Sequence, residues 1–192
     1  MVSAQRATDF SKHLPVRGGN ATFLLDTLRT RVSFSVRHVT GRVHGVFTRA
    51  VGVVDYDPSR ADATTVHVTI QSSSVVTHDE TRDARLRSCG FLDCRAFPQI
   101  EFVSTSVRRS GRKLDVSGEL TLHGVTRPVT VSVGRIHSDA APGEPVSRIS
   151  APVRAVLHRS EFGVGPSSEL ELGGLLIGDD VAIEIDLELV RK

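Results

Sequence analysis

The sequence predicts an all-β protein built of antiparallel strands, and three observations lead there. Apolar side chains recur at every second position in run after run, which is the period of a strand with one dry face and one wet face. Turn residues separate the runs, as in "SGRK" at 110–113. At 192 residues the chain is most simply one domain, long enough to bury a core and still enclose a cavity.

In chain order, the first twenty residues are polar and read as a flexible tail, 1–20, ahead of a folded domain at 21–192. "ATFLLD" forms a short leading strand. In "RVSFSVRHV", Val32, Phe34 and Val36 share one parity, and after Gly41 the pattern resumes through Gly45, Phe47 and "VGVVDY". "TTVHVTI" sets Val66, Val68 and Ile70 against Thr65, His67 and Thr69. In "IEFVSTSV", Ile100 and Phe102 alternate with Glu101, but Val103 and Val107 blur the later half. Leu114, Val116, Gly118, Leu120 and Leu122 hold one face of the next run, "HGVTRP" at 123–128 connects it onward, and Val129, Val131 and Val133 follow. Ile149, Ala151, Val153, Ala155 and Leu157 mark another strand. Val181, Ile183, Ile185, Leu187 and Leu189 mark the last.

About eight strands result besides the leading one, and one dry face per strand argues for antiparallel pairing. Eight such strands can close into a barrel and leave no exposed edge, while a solid β-sandwich fits the same periodicity. Two segments break the rhythm. Thr77 and Glu80 form a capping-box pattern that opens a short helix, with Gly90 as its stop. The stretch 158–180 is too long for a hairpin and reads as a lid-like connection, in which Leu175, Leu176 and Ile177 could cap one end of a tube.

Charged residues make up 24% of the chain and leave a net charge of +2, so nucleic acid is not an expected partner. Arg108-Arg109 and Arg112-Lys113 suit a hairpin tip. No stretch approaches the run of about 18 apolar residues that spans a bilayer, and the leader lacks an apolar export core. The expectation is a cytoplasmic protein with no integral membrane segment. Cys89 and Cys94 are too few for a disulfide scaffold and read as free thiols. No metal or other cofactor is called for, since no Cys-x-x-Cys or His-Glu-x-x-His spacing occurs.

Catalytic chemistry finds no motif. His38, His44, His67, His78, His123, His137 and His158 could serve as acids or bases, yet none stands in a nucleophile motif. His38 and His123 fall at strand ends, where they would brace a turn or meet a ligand head group. Asp79 and Asp83 would share a helix face, solvated and paired with Arg82, Arg85 and Arg87. Gly163 and Gly165 lack the setting of a phosphate loop and read as turn residues.

Four segments in order, "FSVRHVTGRVHGVF" (34–47), "RDARLRSCGFLDCRAFPQIEF" (82–102), "GELTLHGVTRPVTV" (118–131) and "RSEFGV" (159–164), followed by "GDDVAIEIDLE", resemble those of the YceI-like family. The resemblance runs from about Phe23 to Val190. It implies a lipocalin-like, extended antiparallel eight-stranded β-barrel whose lumen takes up a polyisoprenoid or similar long amphipathic lipid. Carried onto matching positions, the candidate ligand-binding residues are Phe34, Val36, Phe47, Phe91, Phe102, Leu120 and Leu122. His38 and His123 join them at the strand ends, and Arg82 and Arg85 could receive a diphosphate, because guanidinium forks match phosphate oxygens. The expected function is non-catalytic carriage of an isoprenoid quinone or prenyl diphosphate, with no catalytic residues. Two alternatives stay open: an enzyme acting on a lipid or small acid through lumen histidines, and a structural or oligomeric interaction module. The reading also leaves room for a homodimer.

Overall fold

The computed structural model describes residues 21–38, 41–57, 60–111, 113–139, 146–165 and 177–192. The polar leader and positions 166–176 of the lid-like connection, with Leu175 and Leu176, lie outside the described residues. Alternation becomes strand wherever it was clean: β1 (Ala21–Leu25), β2 (Arg31–His38), β3 (Gly41–Phe47), β4 (Ala50–Tyr56), β5 (Thr65–Gln71) and β6 (Val75–Val76). One helix, α1 (Glu80–Arg87), precedes β7 (Gln99–Ser110), β8 (Lys113–Leu122), β9 (Val125–Val133), β10 (His137–Ser138), β11 (Arg148–His158) and β12 (Ile177–Arg191).

All pairings are antiparallel, and β1, β4, β5, β7, β8, β9, β11 and β12 join in a ring that closes on β1. The molecule is therefore an eight-stranded barrel. The remaining four strands prolong members of the ring: β2 continues β1 along β12, β3 leads into β4, β6 continues β5 beside β3, and β10 continues β9 along β11. Eight staves result, four of them kinked. At the first kink the chain spends more residues than β12 does between the pairs Leu25↔Leu189 and Arg31↔Asp186, so the surplus folds out as a turn. Asp26 holds that turn, accepting from the Leu28 N–H at 3.1 Å and, across β12, from Arg148 of β11 at 3.2 Å.

The blurred alternation of β7 has a local cause. Its register against β8 shifts between Ser104 and Ser106, which leaves Thr105 as an extra, bulged residue. A one-residue bulge exchanges the faces of everything after it. Ile100 is accordingly buried before the bulge and Val107, of opposite parity, after it, whereas Val103 is 44% exposed.

Two sequence expectations are corrected here. The connection after β8 is not 123–128 but only His123-Gly124, since Leu122 already faces Val125. Both turn residues have positive φ, 51° and 75°, as a two-residue hairpin matched to strand twist requires. Pro128 lies inside β9, which β11 meets only at Ser132 and Val133, so it occupies a largely open edge where proline is tolerated. The helix is capped by Asp79, whose side chain accepts from the Arg82 N–H at 2.9 Å, and not by Thr77. Thr77 instead donates its hydroxyl and N–H to Asp83, at 2.5 and 2.8 Å. The helix ends before Gly90, with the Ser88 N–H bonded to the Arg85 carbonyl at 3.1 Å.

Candidate functional site

The dry faces of the staves surround a cavity of about 770 Å³ that runs along the bore. Valine is its commonest lining residue, and leucine, isoleucine and phenylalanine supply most of the rest. Phe34 and Phe102 are kept against the wall by glycines across from them. A Cβ built on Gly45 would stand 2.3 Å from the Phe34 ring, and one on Gly118 would stand 2.6 Å from the Phe102 ring. Each aromatic thus occupies the room a missing side chain leaves on the neighbouring stave.

The wall is apolar over most of its length and polar at its two ends. At the mouth, where β2 turns into β3, His38, Arg42, Arg82, Arg85 and Arg159 all contribute to it, with Asp79. Asp79 is engaged in capping α1. Arg82 is held by Thr77, donating from Nε to the hydroxyl at 2.8 Å and from Nη2 to the carbonyl at 2.9 Å, while Nη1 lies 3.6 Å from Asp79. The Arg85 guanidinium sits 5.9 Å from the centre of the Phe91 ring. Arg159 ties the end of β11 to the start of β12 through carbonyls of Gly178, Val164 and Ile177, at 3.0, 2.9 and 3.3 Å. Beside it Asp179 accepts from the Ser160 N–H and hydroxyl at 2.9 and 2.8 Å. Burial pushes that carboxyl upward more than any other single influence, but the Ser160 bonds with Arg159 and His158 together hold it below the usual range.

Phe34, Val36, Phe47, Phe91, Phe102, Leu120 and Leu122 all contribute to the wall. So do His38, Arg82 and Arg85. His123 does not: its ring packs edge-on against Phe97 at 5.0 Å, and Nδ1 lies 3.2 Å from the Phe162 carbonyl. Phe162, 1% exposed, is the anchor of the 158–165 stretch and packs with Ile100 and Leu120 beside the poorly paired margin of β9. Of the solvated, arginine-paired acidic face read on α1, Asp79 is half-exposed beside Arg82 as expected, and Asp83 is corrected. Asp83 is 6% exposed and accepts from Thr77 rather than from arginines.

Sequence reasoning missed Arg42, Arg159, Tyr56 and Thr64, which also contribute to the wall. Arg159 stands in a segment that carried the family resemblance, yet nothing in a loop's sequence says where its side chain goes. Among the described residues no group of three His, Cys, Asp or Glu side chains is placed to hold a metal ion. Cys89 and Cys94 are free thiols.

The family model for the YceI-like domain matches residues 23–189. The chain belongs to the YceI-like family. Its relatives include Protein YceI of Salmonella newport (strain SL254), 43% identical over 101 residues that cover 52% of this chain and 53% of that one. This YceI-like chain thus spans about half the length of the curated relatives it matches. Among solved structures it is similar to BcnA of Burkholderia cenocepacia, 24% identical, with a TM-score of 0.76 over 85% of this chain and 98% of that one. The Campylobacter jejuni YCEI protein is 26% identical, with a TM-score of 0.65 over 78% and 85% of the two chains. A polyisoprenoid binding domain from Saccharophagus degradans, implicated in plant cell wall breakdown, shares the fold at 17% identity, with a TM-score of 0.65 over 90% and 99%. No helix among the described residues is long and apolar enough to cross a membrane.

Proposed function

We propose that this YceI-like barrel binds and carries a polyisoprenoid or similar amphipathic lipid, without changing it chemically. One observation carries the reading: a continuous bore of about 770 Å³, walled by aliphatic and aromatic side chains and reached past a rim of arginines. The chain of such a ligand would lie in the bore, and its affinity would come from apolar surface removed from water, roughly 25 cal/mol per Å² before ordering costs. The head group would stop at the mouth. There Arg82 and Arg85, with His38 nearby, would meet a quinone carbonyl or a diphosphate, the anionic head making the stronger contact. Support also comes from the Saccharophagus degradans domain of the same fold, which binds polyisoprenoid. Phe34, Val36, Phe47, Phe91, Phe102, Leu120 and Leu122 would contact the chain.

The test is to purify the protein without detergent, extract it with organic solvent and identify what leaves by mass spectrometry. Stoichiometric recovery of a long-chain lipid, or uptake of geranylgeranyl diphosphate by the emptied protein, is the expected result. Folded protein that yields no lipid and takes up no prenyl chain would refute the reading.

A further inference from the structure

The end of the barrel away from the arginine rim gathers positive charge that no opposite charge answers. β8 runs from the β7–β8 hairpin tip at this end to the His123-Gly124 turn at the other. At the tip a cleft of about 580 Å³ is lined by Arg109, Lys113 and Arg135 with Leu114, Ile136 and Tyr56, and no carboxylate among the described residues lines it. Register explains why the three cations meet. Arg109 of β7 lies opposite Leu114, Leu114 lies opposite Val133 of β9, and Arg135 follows Val133 by two residues. Lys113 closes the hairpin opposite Ser110. Three neighbouring strands thus deliver one cation each to the same level of the barrel.

All three are exposed, and among the described residues none of their charged groups has a hydrogen-bond or ion-pair partner. Acids at this end are engaged elsewhere. Asp55 accepts from the Thr22 and Thr65 hydroxyls at 2.6 and 3.3 Å, and Asp139 accepts from Ser147 and from the Arg148 N–H. Asp115 stands opposite Arg108. Like charges gathered at a concave surface repel one another and raise the local potential, which draws in anions.

We infer that this cleft binds a phosphate-bearing anion. A phosphate monoester carries about 1.5–2 negative charges at neutral pH and three acceptor oxygens, so it can satisfy two guanidinium forks and an ammonium together. A carboxylate brings a single charge. The apolar side that Leu114, Ile136 and Tyr56 give the cleft suits a phosphate carried on an organic group. That chemistry is shared by a small organic phosphate and by a lipid head that ends in a phosphate monoester. The inference does not depend on what occupies the bore.

The soluble probes are phenyl phosphate and phenyl sulfate, titrated calorimetrically into the full-length protein at low ionic strength. Phosphatidylcholine vesicles with and without phosphatidic acid, tested by co-sedimentation, supply the lipid arm. Phenyl phosphate should bind about 10-fold tighter than phenyl sulfate, which keeps the shape with less charge. Arg109→Gln combined with Arg135→Gln should weaken it by about 10-fold or more. Arg154→Gln removes a cation that pairs with Glu184 instead, and should change it by less than about 2-fold. Unchanged urea midpoints will show that the variants remain folded. Phenyl phosphate binding without vesicle binding identifies a soluble organic phosphate. Phosphatidic acid binding that the double variant loses identifies a lipid head, whether or not the phenyl ester binds. Binding by neither probe, binding that the double variant keeps, or equal affinity for phenyl sulfate overturns the site and leaves the carrier reading standing.

Discussion

Gly118 shows how a single side chain, or its lack, keeps the bore open. A methyl group there would stand 2.5 Å from the Val103 carbonyl as well as against Phe102, and a backbone atom inside a paired strand cannot move aside. Gly118→Ala should therefore lower stability by about 1–3 kcal/mol in urea unfolding, the usual range for overpacking. Asp26 acts through charge. Burial raises its carboxyl pKa more than any other single influence, yet the Leu28 and Arg29 N–H groups and Arg148 together bring it below the ordinary aspartate value of 3.8. Asp139 is held low first by the Ser147 hydroxyl and then by the Arg148 N–H. A folded pKa below the unfolded one means that the unfolded chain binds more protons as the solution acidifies. Stability is then level above about pH 5 and falls as pH drops below 3.8 through the lowered values. Asp26→Asn should flatten that acid slope by lowering stability at neutral pH while changing little in acid, read from urea midpoints across the pH range.

At the scale of elements, the kinks matter as much as the strands. An odd surplus over what the partner spends, one residue at Thr105 in β7 and three across the Asp26 turn, bends a stave and resets which parity faces inward. The α1 region is held by two aspartates with different duties. Asp79→Ala removes one N-cap bond and should cost about 1 kcal/mol. Asp83→Ala removes a buried acceptor of two bonds from Thr77 and should cost more, about 2–4 kcal/mol, which chemical denaturation of the two variants will compare. The reverse order would restore the capping box that the sequence suggested. That motif is legible as a pattern, but a pattern says only that a cap stands near Thr77. Whether Asp79 or Thr77 fills the role depends on which of them meets Asp83 from β6, a contact the chain makes only once folded.

For the whole molecule, function follows from a closed ring left hollow. Ala155 lines the bore and its neighbour Val156, 58% exposed, faces outward on the same strand. Ala155→Trp should fill the bore and abolish lipid uptake in a protein that still folds. Val156→Trp should leave uptake intact and shift stability by no more than about 0.5 kcal/mol. Loss of uptake in both, or in neither, would remove the bore from the account. Period-two alternation was enough, by itself, to determine the strands, their antiparallel pairing and which side chains share the dry face, because that information is local to each run. The resemblance to the YceI-like family, carried onto matching positions, added Phe34, Val36, Leu120 and their companions as one candidate set. Closure of the ring through β11 and β12, the bulge that rescues Val107 for the interior, the cleft shared by Arg109, Lys113 and Arg135 and the clustering of Arg42 and Arg159 with Arg82 at one rim were decided only by the tertiary structure. These depend on register and on stave length, where a shift of one residue exchanges the inside of the barrel for the outside, and no single strand carries that register in its own sequence.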